Sequence, residues 1–135
     1  MNDATRARLS LASLAYLIVT ALHDLDHVRQ GRPLALEVKV VGVVAIVTAV
    51  ASLVLSVRGH GLAPLAAAVV GFGSTLGLVV VHLLPRWSAI SDPYPEAGVD
   101  VVAYGMLYAL MAAGAYLGLV GVRALRPSRV PGASR

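Results

Sequence analysis

The chain contains no cysteine, which excludes disulfides, thiol nucleophiles and every Cys-ligated zinc, haem or iron–sulfur centre. It is also poor in charge: Asp, Glu, Lys and Arg make up 13% of its 135 residues, where a soluble domain carries about a quarter. Aromatic residues amount to 5%, without the aromatic–basic interleaving that grips nucleic acid. There is no Walker loop, dinucleotide-binding glycine fingerprint or repeat period. Any chemistry must therefore rest on histidine, carboxylates, hydroxyls or a bound cofactor.

What the sequence has in excess is apolar surface, with 58% hydrophobic residues and a mean hydropathy of +0.79. At about 20 apolar residues per crossing, a chain of this length accommodates one small membrane domain. Four runs have the required length and almost no charge in their middles: Leu9 to His27, Leu36 to Val57, Leu62 to Leu84 and Val99 to Val122. Gly and Pro punctuate every junction between them. The expected fold is all-α, a polytopic four-transmembrane-helix bundle over residues 1–122, followed by a basic tail at 123–135. Pro127, Pro131 and Gly132 predict disorder in that tail, resting on anionic headgroups. Arg6 and Arg8 ahead of the first run raise a signal-peptide reading. His23-Asp24-Leu25-Asp26-His27 stands where a small-residue cleavage pattern would, so a retained helix is expected.

An even number of crossings places both termini on one side. Arg6, Arg8, Arg58, Arg123, Arg126, Arg129 and Arg135 lie there, against Arg29, Arg32, Lys39 and Arg86 opposite. The bias predicts cytoplasmic termini and a multi-pass protein of the cell (inner) membrane. The formal charge of +4 and pI of about 10.0 then belong to contact with lipid, and nucleic acid is not an expected partner.

Polar residues are distributed unevenly. The same topology brings Asp24, Asp26, Glu37, Asp92, Glu96 and Asp100 to the extracytoplasmic ends of the helices, together with His23, His27 and His82. His60, in a Gly-flanked turn, falls on the other side and reads as an ordinary solvated residue. On the first helix, at about 100° per residue, His23, His27, Asp26 and Gln30 share an arc of roughly 100°. Histidines at i and i+4 emerge one turn apart on one face and can chelate a metal. The expected ligands are His23, His27 and His82, with Asp100 or else Asp26 as the carboxylate. Such a set suits a divalent ion, zinc or iron foremost, over Cu⁺. If the site is catalytic, Asp26, Asp100 and Tyr104 are the candidate acid–base groups. Asp24 and Gln30 are expected to support the ligands, and the Pro85 to Glu96 loop, with Trp87, Asp92 and Tyr94, to cover them.

Each feature also has a plainer reading. The charged groups could be the solvated end of a helix, ion-paired with Arg29, Arg32 and Lys39. Trp87 and Tyr94 could be interfacial anchors. Asp100, Tyr104, Tyr108 and Met111 along the last helix could be bundle packing. Gly73, Ser74 and Gly77 in the third run, and Gly105, Gly114, Gly118 and Gly121 in the fourth, suggest close helix approach. The sequence supports a membrane metalloprotein, an enzyme on a lipid or amphipathic substrate if catalytic. The alternatives are a proton-linked His–Asp network without metal, a bis-histidine haem protein, a small transporter, or a non-catalytic subunit or chaperone in a homo-oligomer or larger membrane complex.

Overall fold

A computed structural model describes residues 1–126, so the expected tail from residue 127 onward lies outside the described residues. The regular structure of the described residues is all helical: α1 (Asp3–Gln30), α2 (Leu36–Val57), α3 (Ala63–Leu78), α4 (Tyr94–Ala97) and α5 (Val101–Leu125). A single π-helical turn, Val79–Leu83, extends α3. With that extension, α1, α2, α3 and α5 are each long and apolar enough to cross a membrane.

The helix ends follow from their capping chemistry. Helix α1 begins well before the apolar run at Leu9 because the Asn2 side chain accepts a hydrogen bond from the Thr5 amide at 2.8 Å. Asp3 and Arg6 then pair one turn apart at 3.1 Å. Gly31 closes the helix in the left-handed region, φ 62°, and its amide donates to the Val28 carbonyl. Helix α3 starts with Pro64 in its first turn, where the missing N–H costs nothing. Helix α5 starts at Val101 on the Asp100 cap and runs to Leu125. Arg123 is therefore helical, where the sequence pattern placed the start of the tail.

The four long helices form a ring in which α1 and α3 lie diagonally and touch only slightly, each packing on α2 and α5. The tightest seam joins α3 to α5. A Cβ at Gly121 would lie 2.5 Å from the Ala68 amide nitrogen, and one at Gly118 would lie 2.8 Å from the Phe72 ring. Thr75 shares its hydroxyl proton between Gly71 O of its own helix, at 2.9 Å, and Met111 O across the seam, at 3.2 Å. Gly71, Gly114, Gly118 and Gly121 thus carry the close approach. Gly73, Gly77 and Gly105, expected to share that role, face open space, since a Cβ on any of them would meet nothing within 4 Å.

Helix α2 packs through only one half. Its buried residues are Ala49, Ser52 and Ser56, and Ser52 meets Ser13 of α1 at 3.4 Å between hydroxyls. The half from Leu36 to Thr48 stands away from the bundle and leaves a cleft of about 670 Å³ between α1, α2 and α3. Large apolar residues are exposed along all four helices, among them Leu11, Ile18, Val47, Leu76 and Leu119.

Candidate metal centre

Three imidazoles meet at the end of the bundle reached by α1, α3 and the loop after α3. His23 and His27 are one turn apart on α1, and their Nε2 atoms lie 3.2 Å apart. His82 comes from the π turn, with its ring centroid 5.4 Å from that of His23 and 5.6 Å from that of His27. One ligand nitrogen from each ring falls within 4.8 Å of the other two. His23 and His82 are each 4% exposed, and His27 is partly buried.

The π turn explains how His82 reaches this group. At about 100° per residue, an unbroken α-helix would put His82 roughly 20° from the direction of Gly71, facing α5. The wider π turn advances less per residue and takes the ring off the α5 seam to meet the two histidines of α1. The carbonyls of this last turn have no helical partners, and the Asp92 amide donates to one of them, Val81 O, at 2.9 Å.

That bond folds the loop back over the site. The Ser91 hydroxyl accepts from the Trp87 and Ser88 amides, each at 3.2 Å, and Ser91 and Asp92 are buried. His82 Nδ1 donates to the Asp92 carbonyl at 3.0 Å, which fixes the tautomer and leaves Nε2 with its lone pair toward the other rings. The Asp92 carboxylate takes a charged hydrogen bond from Arg32 at 2.5 Å. Tyr94 is fully buried, its ring centroid 4.6 Å from that of His82 and its hydroxyl 3.5 Å from His27 Nε2. Burial, then the Asp92 and Asp26 carboxylates, push the Tyr94 phenol above its usual range. Tyr94 therefore stays a neutral hydrogen-bond donor.

The geometry suits a small cation. With metal–nitrogen bonds of about 2.0–2.1 Å, tetrahedral ligand atoms stand roughly 3.4 Å apart, close to the His23–His27 spacing. Two imidazole lone pairs aimed at each other over such a distance repel unless a proton or a cation lies between them. Nδ1 of His23 and Nδ1 of His27 are both buried without a hydrogen-bond partner.

The carboxylates take other places. Asp26, 5% exposed, accepts from Arg29 at 2.6 Å and Gln30 at 2.7 Å. Asp100, expected as a ligand, is outside the histidine group. It caps α5 and receives two parallel hydrogen bonds from Arg29, both 2.9 Å. Arg29 thus bridges α1 to α5, and its guanidinium holds the Asp100 carboxyl below the usual carboxylate range, with the Ala103 amide adding to the effect. Tyr104 is one layer removed: its ring meets Tyr94 edge-on at 5.7 Å, not the imidazoles. Trp87 is 55% exposed, its Nε1 donating to Val80 O at 3.1 Å. Asp24 lines the cleft and makes no side-chain hydrogen bond among the described residues. The loop does cover the site, through Asp92 and Tyr94 rather than Trp87. The Arg32–Asp92 link and the π turn carry no signal in the sequence. Arg29 and Arg32 were visible only as generic partners for nearby acids.

Compared with protein-family models, curated proteins and solved structures, the chain matches none.

Proposed function

We propose that this chain is a membrane-embedded metalloprotein. Its four long helices cross a cell (inner) membrane with cytoplasmic termini. His23, His27 and His82 hold one divalent transition ion, zinc or iron, near the extracytoplasmic surface. The observation that carries the reading is the convergence of three largely buried imidazoles from two helices, one with its far nitrogen already committed to a backbone carbonyl. The apolar exterior supports insertion, and the excess of arginine at the termini and second loop supports the orientation.

Three neutral nitrogen ligands leave a coordination position open, so the bound ion would act as a Lewis acid on an oxygen presented from the cleft. A lipid or other amphipathic molecule is the substrate class such a position suits. Tyr94 would donate a hydrogen bond to that oxygen. Asp24 is the carboxylate on the cleft wall and the one placed to accept a proton, because Asp26 and Asp100 are held by Arg29. A haem reading uses only two of the three converging imidazoles and leaves the third unexplained. Assembly into a larger complex also loses one argument, since four of the glycines are used inside the bundle.

Elemental analysis tests the reading. Protein purified in detergent after expression in zinc- or iron-supplemented medium should carry one ion per chain, and the His23→Ala/His27→Ala variant should carry none. Equal, substoichiometric metal in both would remove the proposal.

A further inference from the structure

We infer that the cleft beside the histidines seats a single-chain lipid with an anionic head group. Its acyl chain would lie between α1, α2 and α3, and its head would lie at the three imidazoles. The head-group end rests on the metal reading above; the acyl-chain end does not.

Size and shape come first. A cleft of about 670 Å³ falls in the range of roughly 300–1,000 Å³ typical of small-molecule sites. It opens where the first half of α2 stands off from α1 and α3, and a volume of that size takes one acyl chain with its head group rather than two.

The wall chemistry gives the second observation. Gly42, Gly73 and Gly77 line the cleft, and a Cβ on any of them would meet no atom of the described residues within 4 Å. Glycine in a helix interior is destabilising relative to alanine, and close packing accounts for it at Gly71 and Gly121, where a Cβ would strike backbone. At Gly42, Gly73 and Gly77 nothing among the described residues occupies the space so kept clear. An occupant running along α2 and α3 would.

Charge supplies the third. Away from the histidines the wall is apolar, with Ile46, Val69 and Val70. At the histidine end, Arg32 and Lys39 join the rim. Lys39 has no ion-pair partner among the described residues, while Arg32 shares its charge with Asp92. Against these, and a divalent ion, stands one wall carboxylate, Asp24. The balance favours a carboxylate or phosphate head over a neutral or zwitterionic one.

The protein carries a reporter for the test. Its one tryptophan, Trp87, is pinned by its indole N–H to the π turn that presents His82. Full-length protein in nanodiscs is titrated with cis-parinaric acid, a fluorescent fatty acid that accepts tryptophan emission, and in parallel with its methyl ester. Saturable energy transfer is expected for the acid. Gly73→Leu and Gly42→Leu should weaken it by about tenfold or more, the equivalent of two displaced methylenes. Gly105→Leu, at an equally open glycine that does not line the cleft, should bind like wild type and control for partition into the bilayer. Lys39→Gln should weaken the acid and leave the ester unchanged.

Equal binding by Gly73→Leu, Gly105→Leu and wild type overturns the cleft as the seat, and equal binding of acid and ester overturns the anionic head. Metal content is measured on the same samples. A metal-free protein that still binds the acid in a Gly73-sensitive manner sinks the metal reading and upholds the acyl-chain seat. A metal-loaded protein without saturable transfer does the reverse.

Discussion

Replacing Arg32 by alanine should uncouple the covering loop from the histidines. The Arg32 guanidinium lies 2.5 Å from Asp92 Oδ1, with the carboxylate side chain 7% exposed and the arginine 27%. The second carboxylate oxygen, Oδ2, is buried without a partner, so Arg32→Ala would leave a buried charge with no counter-ion. Breaking a fully buried pair in this way costs about 3–5 kcal/mol. Because water reaches part of Arg32, the cost should fall below that range, at about 2–3 kcal/mol. Adding Asp92→Asn removes the orphan charge, and the double variant should recover to within about 1 kcal/mol of wild type, the worth of an ordinary hydrogen bond. The same strain should reach an ion held by the three histidines, since the Asp92 carbonyl orients His82. Losing such an orienting partner lowers metal affinity by about 10–100-fold. Denaturant titration in one detergent, followed by Trp87 fluorescence, reads the stability, and competition with a chromogenic chelator reads the affinity. If Arg32→Ala is no less stable than the Arg32→Ala/Asp92→Asn pair, or binds metal as wild type does, the coupling between loop and site described here is wrong.

Two further outcomes are expected. Gly71→Ala drives a Cβ into the α5 backbone at Gly114 and Gly118 and should cost about 1–3 kcal/mol. Gly73→Ala, two residues on and facing open space, should gain up to about 1 kcal/mol from helix propensity, so thermal melts that fail to separate the two variants in this order contradict the assignment of the α3–α5 seam. For Asp100, the folded-state carboxyl sits below its ordinary value of 3.8, so its contribution is present above that value and lost as the pH falls through the lowered one. Wild type should lose more stability than Asp100→Asn between neutral pH and acid below that ordinary value; parallel pH–melting curves for the two would count against the Arg29 clamp.

The long helices are legible because crossing a hydrocarbon layer demands sustained apolar runs, and the four runs from Leu9, Leu36, Leu62 and Val99 meet that demand openly. Their ends are less so: a hydropathy count cannot see that Asn2 caps α1 before any apolar residue, or that Arg123 continues α5. The pairing of His23 with His27 follows from a helical repeat and was readable. His82 was readable as the third ligand of that group, but the way it gets there was not, because a π turn leaves no compositional trace. The acids divided for a reason that spacing hides. Asp26 and Asp100 sit within reach of one guanidinium, and a charge so placed is taken by the nearest opposite charge rather than by an empty ligand position. The glycines show a similar limit: Gly71 and Gly73 look alike in sequence, and only the helix beyond decides which one is crowded.

The two helices that bring the histidines are the diagonal pair of the ring, joined to each other chiefly through their neighbours. An ion shared by His23, His27 and His82 would therefore act as a rivet across the bundle, clamping α1 to the end of α3 where side-chain packing alone does little. Filling and emptying that position would tighten or loosen the rim around the cleft mouth, and with it the grip on whatever lies inside.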